Sequence, residues 1–363
     1  MSKWEYTETE IWRHGDNHIS LFHVFGLIAV KNVVLVFAEA REGDGGDAHG
    51  LHDIWMRRSE DGGRSFEATV RLELEKGCCW TNPVPVYDEV IGRLFLFYSD
   101  NPDNLHTRNF VSYSDDFGKS WSEGQQVNQF MEEGENALPF HLAGPGHGIC
   151  IKRGDYAGRL VVPVWHRRFN VDREPTKRGY CVSALYSEDH GQTWEHTAFL
   201  GQEIMANESR IEETEDGLIW VIRPGGGWTG RYISRSFDGG MSWSSPEPVS
   251  IGPANNCDAG VTHICGKQGY ENVVLVSRVS QIPCRRDMEV LLSRDGGLTF
   301  TDKMALPEGD AMPGYSDLCV IEEEEPLAGL VHCRNNHVLF SRISMQALTG
   351  GRYEDTRRTV WLN

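Results

Sequence analysis

The sequence predicts an all-β protein, a six-bladed β-propeller with four-stranded antiparallel blades. Three observations lead to this fold class. An eight-residue turn pattern occurs five times, at separations of 55, 73, 49 and 57 residues. Short apolar runs bounded by Gly, Asn, Asp and Pro dominate the rest of the chain, and helical periodicity is hard to find. A repeat of roughly 50–60 residues fits blades of about 40–50 residues with short connections.

The repeated pattern reads Ser-x-Asp-x-Gly-x-Ser/Thr-Trp/Phe, and we call it the Asp box. Its copies begin at Ser59, Ser114, Ser187, Ser236 and Ser293. The aspartate can cap the backbone N–H groups of its own tight turn, the glycine supplies a positive φ, and the aromatic ring packs under the sheet. We therefore expect five hairpin turns and a structural role for their aspartates, which are Asp61, Asp116, Asp189, Asp238 and Asp295.

The boxes also divide the chain into blades. Apolar strands between Ile19 and Phe37 precede the first box, and three further strands within residues 318–343 follow the fifth box. This arrangement gives six blades, of which the last has no box, and we expect the terminal strands to pair and close the ring. No linker separates two domains, so residues 1–363 are predicted to form one propeller domain with its core at about 20–345.

The charge balance constrains the partners. The chain has 35 Lys and Arg against 53 Asp and Glu, a formal net charge of −18, which argues against nucleic acid and an anionic membrane surface. No apolar stretch approaches the roughly 20 residues needed to span a bilayer, so membrane insertion is not expected. The polar start of the chain lacks the apolar core of a signal peptide, which favours a cytoplasmic location, or secretion if a leader has been removed.

Nothing in the sequence indicates a cofactor. The 14 histidines show no metal-binding spacing, and the glycine clusters lack the strand–loop–helix context of a nucleotide site. The nine cysteines are an odd number without regular spacing, which favours reduced thiols over disulfides. We therefore expect neither a metal nor another cofactor, while the oligomeric state is not determined by the sequence.

Five segments between the boxes resemble, in the same order, segments of the exo-α-sialidases (neuraminidases). They are Ala38–Arg41 with Asp47, Ala143–Ile149, Asn207-Glu208 with Arg223, Arg285, and Gly314–Asp317. The resemblance covers about residues 20 to 345. It implies a glycoside hydrolase on the propeller fold predicted above.

The resemblance implies three catalytic residues, with Tyr315 as nucleophile, Glu208 as its base and Asp47 as the acid/base at the glycosidic oxygen. The chemistry of a sialic acid agrees with this set. Its anomeric carbon carries a carboxylate that would repel an attacking carboxylate, whereas a phenol is neutral until it loses its proton. Asp44 in the same loop is the alternative to Asp47. The implied reaction retains the anomeric configuration through a covalent tyrosyl intermediate.

The family holds the substrate carboxylate with three arginines, because a guanidinium group can donate two parallel hydrogen bonds to it. Arg223 and Arg285 match two of them. Arg286 is the alternative to Arg285, although strand alternation would direct it to the opposite face.

The third arginine is missing, and His23 occupies its position in the alignment. A second possible alignment places His18 there instead. Glu39 keeps the carboxylate that supports this arginine in some members of the family. We expect a His23–Glu39 pair at the substrate-binding site. Such a pair would raise the pKa of the imidazole and keep a cation there.

The predicted function is a retaining exo-glycosidase that removes a terminal α-linked sialic acid or related nonulosonic acid from glycans. Two alternatives stay open. A glycosidase or lyase on the same scaffold could act on a different acidic sugar, which the substitution at His23 favours. A catalytically silent glycan-binding propeller is the other, but a pure binding module would need none of Asp47, Glu208 and Tyr315.

Overall fold

The computed structural model describes residues 4–127, 140–169, 175–225, 230–252, 254, 256–267, 269–281, 284–312 and 314–353. Within these ranges the chain forms six antiparallel sheets and very little helix, which confirms the predicted fold class. None of the helices found there is both long and apolar enough to cross a membrane.

The first three blades follow one another along the chain, and each runs from an inner strand at the central axis to an outer edge strand. In the third blade the inner strand is split into two pieces that both pair with the next strand. The strands are β2 (Leu21–Val30), β3 (Val33–Arg41), β4 (His52–Ser59) and β5 (Val70–Arg71), then β6 (Trp80–Asp88), β7 (Arg93–Asp100), β8 (Arg108–Ser114) and β9 (Gln125–Gln126), then β10 (Phe140–Ala143), β11 (Ile149–Cys150), β12 (Leu160–Phe169), β13 (Pro175–Ser187) and β14 (Glu195–His196).

The fourth and fifth blades repeat this order, whereas the sixth takes its outer strand from the N-terminus. Their strands are β15 (Ala206–Thr214), β16 (Gly217–Pro224), β17 (Arg231–Ser236) and β18 (Glu247–Val249), then β19 (Val261–Ile264), β20 (Val273–Val279), β21 (Met288–Ser293) and β22 (Asp302–Ala305), then β23 (Asp317–Ile321), β24 (Leu327–Arg334), β25 (His337–Ser344) and β1 (Tyr6–Arg13). β1 runs antiparallel to β25, with Tyr6 opposite Ile343. The predicted closure by the terminal strands is therefore confirmed.

The six inner strands contact one another in sequence and form a closed ring around the axis. Neighbouring blades pack face to face through apolar side chains, as where Leu35 and Phe37 of β3 meet Leu94 and Leu96 of β7. Each such buried side chain contributes about 1.5–3 kcal/mol. Both faces of a blade are covered in this way, which explains the short, strongly apolar runs in the sequence.

Each Asp box forms the turn between the third and the outer strand of a blade. In the first box, Asp61 Oδ1 accepts hydrogen bonds from the backbone N–H groups of Arg64 and Ser65 at 2.9 Å. Ser59 Oγ accepts a bond from the N–H of Gly63 at 2.8 Å, and Gly63 has a φ of +83° that other residues rarely adopt. The other four boxes repeat these contacts, which confirms the five predicted turns.

The sixth blade has no box for a topological reason. Its third strand, β25, and its outer strand, β1, lie near opposite ends of the chain. No hairpin turn joins them, so there is no place for an Asp box.

Candidate active site

A cavity of about 240 Å³ opens at the central axis, with walls from five blades. Five of the predicted residues line it, namely Asp47, Glu208, Tyr315, Arg223 and His23. The other two, Glu39 and Arg285, lie outside this lining and beside residues that belong to it, Glu39 next to Arg41 and Arg285 next to Tyr315.

Three inner strands are bulged where they reach the cavity. The register of β2, β6 and β15 on their neighbours shifts at residues 23–25, 81–84 and 206–209. Val24 and Asn82 have positive φ values of 47° and 52° at two of these bulges, and a positive φ is uncommon for a β-branched residue such as valine. A bulge interrupts strand pairing and redirects side chains. All three bulged segments supply residues to the cavity wall.

The phenol hydroxyl of Tyr315 donates a hydrogen bond to the carboxylate of Glu208. The distances from Oη to the two carboxylate oxygens are 2.5 and 2.6 Å. Arg223 Nη1 donates to the same phenol oxygen at 3.0 Å and also pairs with Glu208. Burial raises the pKa of Tyr315 to about 12, although the charge of Arg223 opposes this effect. The phenol is therefore protonated at neutral pH and contacts the group that could take its proton.

Asp47 lies at the cavity with a side chain that is 75% exposed. Its Oδ1 accepts a hydrogen bond from Arg41 Nη1 at 2.7 Å, and its backbone carbonyl accepts one from Asn101 Nδ2 at 3.1 Å. Asp44 instead accepts a bond from the N–H of Gly46 at 2.9 Å and does not line the cavity. The structure thus brings Asp47 to the site and leaves Asp44 in the turn of its loop.

Arg41 is the charged partner of Glu39. Arg41 Nε and Nη2 contact Glu39 Oε2 at 2.7 and 2.6 Å. The other carboxylate oxygen accepts hydrogen bonds from the Thr81 hydroxyl and, at 2.8 Å, from the N–H of Asn82. Glu39 is fully buried, so its carboxylate supports Arg41 from behind the cavity wall. The expected pair between Glu39 and His23 does not form.

His23 is buried against Tyr315, with their ring centroids 4.4 Å apart. Neither ring nitrogen has a hydrogen-bond partner among the residues that the structure describes. Burial, and then the charges of Arg41 and Arg285, hold the pKa of His23 well below its ordinary value of 6.5. The expectation of a raised pKa and a cationic imidazole is therefore wrong, because Glu39 is committed to Arg41 and the guanidinium groups repel a further cation.

Arg285 lies beside the nucleophile candidate. Its guanidinium carbon is 6.0 Å from the ring centre of Tyr315, and its Nη2 donates to the backbone carbonyl of Asn256 at 2.9 Å. Arg286 is more exposed and pairs with Asp310 at 3.2 Å. Of these two neighbouring arginines, the structure places Arg285 next to the site.

The third blade supplies an apolar wall. The Trp165 ring lies 5.1 Å from that of Phe140 and 6.0 Å from that of Tyr180, and all three side chains line the cavity. An apolar wall beside a few charged groups is typical of small-molecule sites. This arrangement can hold the apolar part of a small molecule beside the charged groups of the cavity.

Comparison with known proteins identifies the family. A model of the BNR repeat-like domain matches residues 33–333. The chain belongs to the BNR repeat-like domain family. Together with the sialidase relatives and the six-bladed fold, this match confirms the resemblance to the sialidase superfamily.

Curated relatives of this BNR repeat-like chain match it over part of their own length. The sialidase of Bacteroides fragilis is 23% identical over 86% of this chain and 60% of its own length. The anhydrosialidase of Macrobdella decora is 26% identical over 70% of this chain and 35% of its own length. Sialidase-2 of Rattus norvegicus is 28% identical over 53% of each chain. The chain therefore spans between 35% and 60% of the length of these relatives.

Solved structures share the BNR repeat-like fold. The Hadza microbial sialidase Hz136 has a TM-score of 0.80 and 22% identity, over 93% of this chain and 68% of that chain. The intramolecular trans-sialidase from Ruminococcus gnavus has a TM-score of 0.74 and 18% identity, over 93% of this chain and 98% of that chain. At these identities the likeness concerns the fold.

Several cavity residues had no predicted role. Arg41 follows Glu39 by two positions, and side chains two apart on a strand point to the same side, so this spacing was an available signal. Thr81 and Asn82 stand in no recognisable motif, and only the packing of the second blade on the first brings them to Glu39. Across the described ranges, no group of three or more His, Cys, Asp or Glu side chains has an arrangement that could hold a metal ion.

Proposed function

We propose that this protein is a retaining exo-glycosidase that removes a terminal α-linked sialic acid or a related nonulosonic acid from glycans. The contact between Tyr315 and Glu208 carries the proposal, because a buried phenol bonded to a carboxylate is a nucleophile with its base in reach. Asp47 and Arg223 share the same cavity. The relatives named sialidase in Bacteroides fragilis and Rattus norvegicus support the same class of chemistry.

In the first step, the Tyr315 oxygen attacks the anomeric carbon while Glu208 takes the phenol proton. Asp47 gives a proton to the glycosidic oxygen as the bond from that oxygen to the anomeric carbon breaks. The electron pair of this bond leaves with the aglycone, and a tyrosyl–sugar bond forms. Arg223, 3.0 Å from the phenol oxygen, stabilises the negative charge that develops there during proton transfer.

In the second step, a water molecule attacks the anomeric carbon, and Asp47 takes a proton from this water. The tyrosyl–sugar bond breaks, and Glu208 returns a proton to the phenol oxygen. Two successive displacements at one carbon retain its configuration. The exposed position of Asp47, with a side chain that is 75% exposed, suits a group that must reach both the leaving oxygen and water.

Arg223 and Arg285 flank the Tyr315 ring and are suited to the substrate carboxylate. They also explain how an anionic sugar could bind to a negatively charged protein. The chain as a whole carries a formal net charge of −18, which repels an anionic sugar at long range. A local group of guanidinium cations attracts it at the cavity.

A fluorogenic α-sialoside tests the proposal. We expect turnover by the wild type and a loss of more than about 100-fold in kcat for Tyr315→Phe, because that variant has no hydroxyl to attack or ionise. Tyr98→Phe is the matched control, since Tyr98 is also buried and its hydroxyl lies 3.1 Å from Ser112 Oγ in the second blade. Absence of turnover by the wild type on every nonulosonic acid substrate would contradict the proposal.

The configuration of the first product tests the mechanism. Proton NMR should detect the α-anomer of the free acid before it mutarotates, and a β-anomer formed first would rule out the tyrosyl intermediate. A 2,7-anhydro product would instead assign intramolecular transfer, the activity named for the Ruminococcus gnavus protein. Binding of sialosides without release of sugar would assign a glycan-binding role.

The neutral His23 favours a second candidate, a glycosidase for an acidic sugar other than sialic acid. A buried imidazole without a charge holds a carboxylate less strongly than a third guanidinium group. His23→Arg tests this candidate. His18, the other histidine aligned with the missing arginine, is exposed and does not line the cavity, so His18→Arg is the control. Higher sialoside turnover in His23→Arg alone would favour a different natural acid, and lower turnover would favour sialic acid.

A further inference from the structure

Two segments that resemble sialidase motifs have no part in the proposed chemistry. One is Ala143–Ile149 of the third blade, and the other is the pair Ser316 and Asp317 that directly follows Tyr315. Both reach the central axis, where they meet around one buried ion pair. That pair joins Asp317 to Arg210 of the fourth blade.

Asp317 is fully buried and joins four blades. Its Oδ2 accepts a hydrogen bond from the N–H of Leu27 in the first blade at 3.0 Å, and its Oδ1 lies 3.3 Å from Arg210 Nε. The ring of His147 in the third blade contacts both oxygens, at 3.1 and 3.2 Å. Four blades thus converge on a carboxylate two residues away from Tyr315.

Arg210 lies two residues after Glu208, the proposed base, on β15. Asp317 lies at the same separation from Tyr315. Its side chain is 1% exposed. Its guanidinium group contacts Asp258 of the fifth blade and the backbone carbonyls of Pro145 and Ser316. Arg210 therefore connects the strand of Glu208 to the segment that carries Tyr315.

The surrounding backbone leaves room for this pair only because it has glycine at two positions. A Cβ on Gly146 would lie 2.1 Å from the guanidinium group of Arg210, and a Cβ on Gly260 would lie 2.7 Å from the Cα of Asp317. Any other residue would displace one of the two partners. The backbone approaches both charged residues closely and fixes where they sit.

A gain in folding stability alone does not explain why this buried ion pair is present. Well-packed apolar side chains can often replace such a pair with no loss of stability. A guanidinium–carboxylate contact supplies in addition a defined distance and direction. Here one member is two residues from Tyr315 and the other is two residues from Glu208. The ion pair between Arg210 and Asp317 therefore helps to set the distance between the side chains of Tyr315 and Glu208.

We propose that Arg210, Asp317 and His147 are positioning residues that keep Tyr315 Oη within hydrogen-bond distance of Glu208. The inference rests on the proposed function, in which that contact carries the chemistry. None of the three lines the cavity, so they act through β15, which carries Glu208, and through the segment just before β23, which carries Tyr315. A misplacement of about 1 Å is enough to lower a rate about 100-fold.

The test compares Asp317→Asn, Arg210→Gln and Arg210→Lys with the wild type. We expect kcat on a fluorogenic sialoside to fall about 100-fold in Asp317→Asn and Arg210→Gln, with KM changed less than about twofold. Arg210→Lys keeps the positive charge but lacks the planar guanidinium group, and its kcat should lie between those of Arg210→Gln and the wild type. Glu289→Gln breaks the buried Arg278–Glu289 pair between the second and third strands of the fifth blade, and should keep the wild-type kcat.

A second measurement does not depend on turnover. In protein labelled with 3-fluorotyrosine, the ¹⁹F resonance of Tyr315 is identified by its absence in Tyr315→Phe. Its chemical shift and its titration with pH report the contact with Glu208. We expect both to change in Asp317→Asn and Arg210→Gln, and neither to change in Glu289→Gln.

Folded Asp317→Asn and Arg210→Gln proteins with the wild-type kcat and an unmoved Tyr315 resonance would overturn the proposal. It would also be overturned if both failed to fold while Arg210→Lys folded with the wild-type kcat and resonance, because the pair would then serve stability alone. If the wild type turns over no sialoside, the proposed function fails. The ¹⁹F resonance still decides in that case whether the pair positions Tyr315.

Discussion

The phenol of Tyr315 has to lose a proton in order to attack, yet burial raises its pKa to about 12. An ionised phenol is therefore rare at neutral pH, and the proton must leave during the reaction itself. Glu208 is placed to take it, with both carboxylate oxygens within 2.6 Å of the phenol oxygen. Arg223 contacts both groups and so stabilises the negative charge on either side of the transfer.

Glu208→Gln should lower kcat by about 10²–10⁴-fold, because an amide of the same shape cannot take the phenol proton. Initial rates on a fluorogenic sialoside measure the effect. Glu203→Gln changes an exposed carboxylate just before β15 and should behave as the wild type. A Glu208→Gln protein with unchanged kcat would exclude Glu208 as the base.

Glu39→Gln should lower the free energy of unfolding by about 1–3 kcal/mol, because it removes the buried anion that satisfies Arg41. Glu67→Gln is the control, since Glu67 is 54% exposed and pairs with Arg58, which is buried to a similar degree. The control should lose less than about 1 kcal/mol. Urea denaturation measures both, and equal losses would contradict the role given to Glu39.

At the scale of the structural element, each Asp box holds its own turn, because in the described part of the chain the hydrogen bonds of its aspartate carboxylate go to groups of that turn. In the second box, Asp116 accepts hydrogen bonds from the hydroxyl and the backbone N–H of Ser120 at 2.6 and 2.9 Å. The hydroxyl bond is the largest of the influences that lower the pKa of Asp116 to about 2. The ionised carboxylate is thus the form that holds the turn.

Asp116→Asn should weaken the protein in a pH-dependent way. The folded pKa of Asp116 lies below its ordinary value of 3.8, so its contribution is present above about pH 4 and is lost as the pH falls through about 2. The difference in unfolding free energy from the wild type should therefore shrink between pH 4 and pH 2. Urea denaturation over this range measures it, with Asp155→Asn, at an exposed position outside the boxes, as the control. A difference that stays constant with pH would contradict this account.

The boxes could be predicted because the hydrogen bonds of their serine and aspartate side chains lie within eight consecutive residues. Tyr315, Glu208 and Asp47 could be placed in one site through their motifs. Of the partners of Glu39, Arg41 could have been predicted, because it lies two positions along the same strand. Asn82 could not, because the packing of the second blade on the first brings it to the carboxylate, and the sequence pattern of neither strand contains that contact.

At the scale of the whole molecule, the ring is closed both at its edge and at its centre. At the edge, Arg342 is buried and contacts Glu5 and Glu323 at 2.7 Å, and it also contacts the backbone carbonyl of Gly62 in the first Asp box. The closing strand is thereby tied to the sixth and first blades. At the centre, the charged residues on the axis connect the inner strands across the ring. An all-β ring closed in this way leaves few free strand edges.

Besides Arg210, His147 links blades at the centre, in this case the third, fourth and sixth. It contacts Glu212 of the fourth blade at 2.7 Å and Asp317 of the sixth at 3.1 Å. Burial alone would lower the pKa of His147, but the two carboxylates outweigh it and raise the pKa to about 10. A histidine in an unfolded chain titrates near 6.5, so the folded protein binds more protons between these two pH values.

The contribution of His147 to stability is therefore complete below about pH 6.5 and declines as the pH rises towards 10. We expect the free energy of unfolding of the wild type to fall over this range more steeply than that of His147→Gln. Urea denaturation at a series of pH values measures both slopes. His106→Gln should follow the wild type, because His106 is exposed and pairs with Asp103 at the surface. Parallel slopes for the wild type and His147→Gln would mean that the imidazole carries no extra proton on the axis, and that the blades meet there through neutral hydrogen bonds.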